Sequence, residues 1–249
     1  RDPIIGDYKE YTIVSMGPPS SGGVLLINMF NQLSFFALDT MGWNSSQYIH
    51  YLTEVERRAY ADRAEHMGDP DFWNVPIEFL IDTAYAFETA KTILPNKASL
   101  SSEIHAGNPW PAESNETTHY SVVDQWGNAV SVTTTLNTSY GCGVVVKGAG
   151  FFLNNEMDDF SAKPGIPNIY GLVGKEANAI APGKRPLSSM TPTIVLKDNK
   201  PFMVIGSPGG STIITTALQT ILNVIVHEMD IKEAVSSPRV HSQWLPDII

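Results

Sequence analysis

The chain has 249 residues, 43% hydrophobic and 17% charged, enough to bury a core as one large domain or two small ones. Its formal net charge is −10 and no Lys/Arg cluster breaks the acidic balance, which argues against nucleic acid as a partner and requires any anionic substrate to be gripped by a local site. One cysteine, Cys142, rules out an internal disulfide and argues against a Cys-based metal site, the six His show no metal-ligand spacing, and no run reaches the ~18 uncharged apolar residues of a membrane helix.

In chain order, residues 8–16 (YKEYTIVSM) have the pattern of a strand, and Pro18-Pro19-Ser20-Ser21-Gly22-Gly23 is a break. Leu25, Leu26, Met29, Phe30, Leu33 and Phe36 recur at helical spacing and predict a helix over 24–38. Ser46 is placed to cap a second helix running to Met67, with Tyr48, Leu52, Val55 and Ala59 as its apolar stripe and Gly68 as its stop. A third helix is expected over 78–93. Residues 95–116 hold Pro95, Pro109 and Pro111 with little periodicity and are expected to be a linker or surface loop.

Strand patterns at 118–123 and 129–136 flank Asp124-Gln125-Trp126-Gly127-Asn128, where Gly127 can supply the positive φ of a three-residue hairpin loop. A loop of 125–127 makes paired residue numbers sum to 252 and sets Thr117 opposite Thr135; a slip of one residue would undo this. Two more strands are expected at 191–196 and 201–206 about an Asp198-Asn199 turn. Ser207-Pro208-Gly209-Gly210-Ser211 then leads into a helix to about Val226, striped by Ile213, Ile214, Ala217, Leu218, Ile221 and Leu222. Hairpins and grouped helices, rather than strict β-α-β alternation, predict sheets layered with helices, an α+β fold.

Four segments could carry chemistry. A Thr hydroxyl such as that of Thr117 becomes a nucleophile when a base takes its proton, and a free α-amine on the same residue, with a pKa of about 7.7–8, can be that base. This needs cleavage of the Glu116–Thr117 bond; an ordinary strand-opening Thr-Thr pair has the same local signature. Adjacent glycines at 209–210 before a helix suit an oxyanion, a carboxylate or a phosphate, or are simply a tight turn. Asn154-Asn155-Glu156-Met157-Asp158-Asp159-Phe160 could hold an ammonium group or be a solvated turn. Lys184-Arg185-Pro186-Leu187-Ser188-Ser189-Met190 could grip a carboxylate or be a plain loop.

Taken together and in order, E-T-T-H-Y-S-V-V-D at 116–124, T-L-N at 135–137, N-N-E-M-D-D-F at 154–160, R-P-L-S-S-M at 185–190 and S-P-G-G-S at 207–211 resemble the γ-glutamyltranspeptidase family. P-P-S-S-G-G at 18–23 and G-D-P-D-F at 68–72 resemble the late part of that family's large subunit. The resemblance implies an αββα sandwich of the N-terminal-nucleophile hydrolase type, incomplete at both chain ends, with 1–116 from the large subunit and 117–249 from the small subunit of a heterodimer. It implies self-cleavage between Glu116 and Thr117, after which Thr117 attacks the γ-glutamyl amide of glutathione or another γ-glutamyl compound. The acyl group then passes to water or to an amino-acid or peptide acceptor. By resemblance Thr135 hydrogen-bonds the nucleophile, and Gly209 and Gly210 form the oxyanion hole. Asn137, Glu156 and Asp159 hold the α-amino end of the substrate, Ser188 and Ser189 its α-carboxylate, and Tyr170 belongs to a lid over 164–175. An Arg from a preceding part of the family's chain completes the carboxylate site. No metal or cofactor is implied, and the family is exported to the periplasm, the medium or the cell surface. Two other functions remain open: a glutaryl (cephalosporin) acylase of the same superfamily, whose substrate lacks the α-amino group, and a non-catalytic amino-acid-binding homologue or fragment.

Overall fold

The computed structural model describes residues 1–106, 118–163, 166 and 176–249. The expected strand over 8–16 is the second arm of a hairpin: β1 (Ile4–Tyr8) pairs antiparallel with β2 (Tyr11–Ser15). Gly6 and Asp7 interrupt the apolar alternation of β1, which hides it in the sequence. Helix α1 (Gly22–Leu33) is buried along its whole length. It stops short of the expected 38 because the next two aromatics leave in different directions, Phe35 onto Phe87 and Phe36 stacked on Tyr51.

Helix α2 (Ser46–His66) matches its expected span, but the cap is Ser45, whose hydroxyl accepts from Tyr48 N–H at 3.2 Å. The expected single helix over 78–93 is two, α3 (Ile77–Leu80) and α4 (Thr83–Ala90). Asp82 turns extended and caps α4 through Tyr85 N–H at 2.9 Å, while Asn28 and Asn31 of α1 donate to the Leu80 and Ile81 carbonyls, each at 2.7 Å. Side chains from another helix thus satisfy the groups a continuous helix would have used itself.

The hairpin β3 (Thr118–Val123) and β4 (Ala129–Thr134) has the expected register, from Thr118 opposite Thr134 to Val123 opposite Ala129. Strands β5 (Thr193–Lys197) and β6 (Lys200–Ile205) turn at Asp198 and Asn199, both at positive φ, which is the twist-compatible two-residue hairpin geometry. Helix α5 (Thr212–Ile225) buries its whole predicted stripe, and α6 (Ile231–Ser236), capped by Asp230, adds a short helix that no periodicity marks.

One antiparallel sheet runs β1-β2-β5-β6; β3-β4 is a second. Ile13, Val195 and Met203 join α1, α2 and α5 in the apolar core. On the other face, the β3-β4 hairpin lies against β5 and β6, with Ser121 Oγ donating to the Val204 carbonyl at 3.2 Å and Ser131 Oγ to that of Ile205 at 3.0 Å. The described residues therefore form a helical layer, a four-stranded sheet and a two-stranded sheet, three successive layers of the expected α+β sandwich.

Candidate active site

The Gly209-Gly210 turn joins β6 to α5, with Gly209 at φ 127°, which suits glycine and little else, and Gly210 at 57°, in the left-handed region that glycine favours. The first N–H groups of a helix lack intrahelical acceptors and sit at the positive end of its dipole, so the turn opens on a place that favours negative charge. Three residues earlier Gly206 is packed so tightly under β3 that a Cβ there would lie 2.2 Å from Nδ1 of His119. The strand that begins just after Thr117 is therefore clamped to the stretch that ends in the glycine turn. His119 contacts Thr133 Oγ1 at 2.9 Å and Ser121 Oγ at 3.0 Å, and burial lowers its pKa, which favours the neutral ring.

Helix α2 ties this turn to the Ser188-Ser189 loop. The Tyr60 hydroxyl donates to the Ser211 carbonyl, and one turn later Arg63 sends Nε to Ser21 Oγ at 2.8 Å and Nη2 to Ser189 Oγ at 3.2 Å. Arg63 is buried. The loop is also zipped to the Pro18–Gly23 break, through Ser21 N–H to the Ser188 carbonyl at 2.8 Å and Ser188 N–H to the Pro19 carbonyl at 3.0 Å. At its start Arg185 forks onto buried Asp69, with Nε at 2.9 Å and Nη2 at 2.6 Å.

A third segment arrives through Asn178. Thr135 Oγ1 accepts Asn137 N–H at 2.8 Å, and Asn137, buried and at φ 74°, donates to the Asn155 carbonyl at 3.2 Å. A non-glycine residue held in this region is strained, a state that persists where the surroundings over-determine it. Glu156 and Asp159 bound the 3₁₀ turn that comes next. Asn178 then donates to the Asp159 carbonyl at 2.6 Å and accepts Leu187 N–H at 3.0 Å, next to Ser188. Burial raises the Glu156 carboxyl pKa.

Thr135, Asn137, Glu156, Asp159, Ser188, Ser189, Gly209 and Gly210 thus belong to segments joined by short polar links. Glu116, Thr117 and Tyr170 lie outside the described residues. Sequence reasoning missed Tyr60, Arg63 and Asn178, which make the joins. The stripe of α2 identifies its apolar side only, and nothing local reveals that its polar side is buried as well. Chemically, a buried guanidinium beside two serine hydroxyls suits a carboxylate, the Glu156–Asp159 turn suits an ammonium group, and the glycine turn suits an oxyanion. No group of three or more His, Cys, Asp or Glu among the described residues is arranged to hold a metal.

A family model described as gamma-glutamyltranspeptidase matches residues 1–249. The chain is 56% identical over 247 residues to a glutathione hydrolase proenzyme of Escherichia coli K12, covering 99% of this chain and 43% of that protein. It is 39% identical over 248 residues to an acylase ACY 1 proenzyme of Pseudomonas sp. SE83, covering 98% of this chain and 41% of that one. Among solved structures, the cephalosporin acylase of Bacillus halodurans superposes with a TM-score of 0.81 at 25% identity, over 96% of this chain and 40% of that chain. The chain therefore spans less than half the length of these curated relatives. With a family model matched from end to end and such relatives along its length, the chain belongs to the γ-glutamyltranspeptidase family.

Proposed function

We propose that the protein containing this chain is a self-cleaving γ-glutamyltransferase and glutathione hydrolase in which Thr117 is the nucleophile. In maturation the Thr117 hydroxyl bonds to the Glu116 carbonyl carbon. The Glu116–Thr117 C–N bond breaks, leaving Thr117 with a free α-amine, and water then cleaves the resulting ester. Residues 1–116 thereby end the large subunit and 117–249 begin the small one. In turnover the α-amine takes the hydroxyl proton, Thr117 Oγ attacks the γ-carbonyl of glutathione, and the amine side departs with a proton. Water or an amino-acid or peptide acceptor then takes the γ-glutamyl group. Gly209 and Gly210 N–H groups stabilise the oxyanion, Thr135 orients the nucleophile, and Tyr170 belongs to the covering lid. Ser188 and Ser189, backed by Arg63, hold the α-carboxylate, and Asn137, Glu156 and Asp159 hold the α-amine.

The observation that carries this reading is the joining of the glycine turn, the serine pair and the Thr135–Asp159 segment through Tyr60, Arg63 and Asn178. The decisive experiment is Thr117→Ala in the full-length protein. Loss of both self-cleavage, read by intact mass, and γ-glutamyl amide turnover is expected; a variant that still matures and turns over overturns the assignment. A glutaryl acylase is the second reading, motivated by the acylase relative at 39% identity. Asn137, Glu156 and Asp159 favour a substrate with an α-amino group, so γ-glutamyl amides should be cleaved faster than glutaryl amides, and the reverse order would establish the acylase. Export to the periplasm, the medium or the cell surface is proposed on family resemblance, and cell fractionation tests it.

A further inference from the structure

Ser211 occupies the N-cap of α5 with helical φ/ψ of −57° and −33° rather than the extended backbone from which a serine caps, and its side chain makes no bond to the first turn. The residue is fully buried. Its hydroxyl points the other way and donates to Gln243 Oε1 at 2.8 Å, while its carbonyl takes the Tyr60 hydroxyl. Gln243 is itself pinned, donating to the Leu245 carbonyl at 3.2 Å. His241 lies edge-on to the Tyr60 ring, with centroids 5.6 Å apart. Its Nε2 is 3.2 Å from Gln243 Oε1 and its Nδ1 is 2.9 Å from Thr215 Oγ1.

One assignment satisfies the bonds around Gln243 Oε1 and both His241 nitrogens. Neutral His241 carries its proton on Nε2; that proton and the Ser211 hydroxyl both go to Gln243 Oε1, and the Thr215 hydroxyl, which also lies 3.2 Å from the Thr212 carbonyl, goes to the nearer Nδ1. Burial lowers the His241 pKa and so favours the neutral ring.

We propose that Tyr60, Ser211, His241 and Gln243 form a buried brace that fixes the Gly209-Gly210 turn and so act as positioning residues for the oxyanion; this rests on the acyl-transfer function proposed for Thr117. Two adjacent glycines can rotate through conformations closed to other residues. Their carbonyls take Thr212 N–H and Oγ1 (Gly209, 3.1 and 2.8 Å) and Ile213 N–H (Gly210, 3.0 Å), so their N–H directions depend on how firmly the start of α5, beginning with Ser211, is held. Tyr60 fixes the plane of the peptide after Ser211 through its carbonyl, and Gln243 fixes the Ser211 side chain. The turn is thereby held from behind by groups that never touch substrate, and donors aimed at a developing charge are effective only when held in advance.

A brace of this kind acts on the transition state more than on substrate binding, which gives a readout that a merely structural role would not move. In the full-length protein, Tyr60→Phe keeps the ring and removes the hydroxyl, and Ser211→Ala removes the other bond. Each should lower kcat for a γ-glutamyl anilide about tenfold or more, with KM within about twofold, since losing a whole oxyanion donor costs on the order of 100-fold. Affinity for a glutamate analogue bearing a γ-boronic acid, which becomes a tetrahedral anion on the nucleophilic hydroxyl, should fall in step with kcat. If one variant does not fold, the other decides. A folded variant with unchanged kcat, or one in which KM alone rises, overturns the brace while the acyl-transfer function stands. A mature parent protein without γ-glutamyl turnover overturns that function and the brace with it.

Discussion

Asp69 has no solvent exposure and accepts the Arg185 backbone N–H at 3.0 Å as well as its guanidinium. Burial pushes its carboxyl up, but the bonds from Arg185 and Asp71 N–H and the Arg185 charge outweigh this and hold it at about 2. Because the folded value lies below the ordinary 3.8, the pair stabilises the fold above about pH 4 and that contribution fades as pH falls through about 2. Arg185 is 45% exposed and can turn to water when its partner goes, so Asp69→Asn should cost about 1–3 kcal/mol, less than a fully buried pair. The expected result is a lower melting temperature at pH 7, a gap to wild type that narrows toward pH 2, and a higher KM from a loosened Ser188-Ser189 loop. A gap independent of pH would contradict the role given to the charge. None of this was legible in R-P-L-S-S-M, where Arg185 reads as a loop cation, because Asp69 lies 116 residues earlier.

The β3-β4 hairpin was legible because a three-residue loop and the two-residue period of a strand fix a register locally. Its placement was not, since that depends on the missing side chain at Gly206. Gly206→Ala would drive a Cβ into the His119 ring, and overpacking of this kind costs about 1–3 kcal/mol. Lower melting temperature and slower release of the small subunit are expected in the full-length protein. The double variant Gly206→Ala/His119→Ala should recover part of both, and a double variant no better than the sum of the singles would remove the contact as the cause. The α3–α4 break escaped for a related reason. The apolar period runs on through 78–93, and the groups that end α3 belong to Asn28 and Asn31 of another helix.

At the scale of the whole molecule, the polar side of α2 serves as an assembly surface. Glu56 is completely buried there, and its carboxylate oxygens take Ser242 N–H at 2.8 Å and Gln219 Nε2 at 3.4 Å, tying α2 to α5 and to the segment after α6. Burial raises its pKa well above the ordinary 4.5, and the Ser242 bond lowers it only in part. A raised carboxyl contributes fully below the unfolded value and loses its contribution as pH rises through the folded one. Glu56→Gln, which carries no proton to lose, should therefore gain on wild type in melting temperature between pH 5 and pH 8. An equal difference at both pH values would show that Glu56 does not titrate in this way. The sequence by itself determined the motif order, the β3-β4 register and the apolar sides of α1, α2 and α5, because each depends on neighbours a few residues away. Only the tertiary structure decided that Arg63 meets Ser189 across 126 positions and Tyr60 meets Ser211 across 151. Periodicity distinguishes an apolar side from a polar one, but a buried polar group must find a particular partner, and that partner is chosen by how the layers pack.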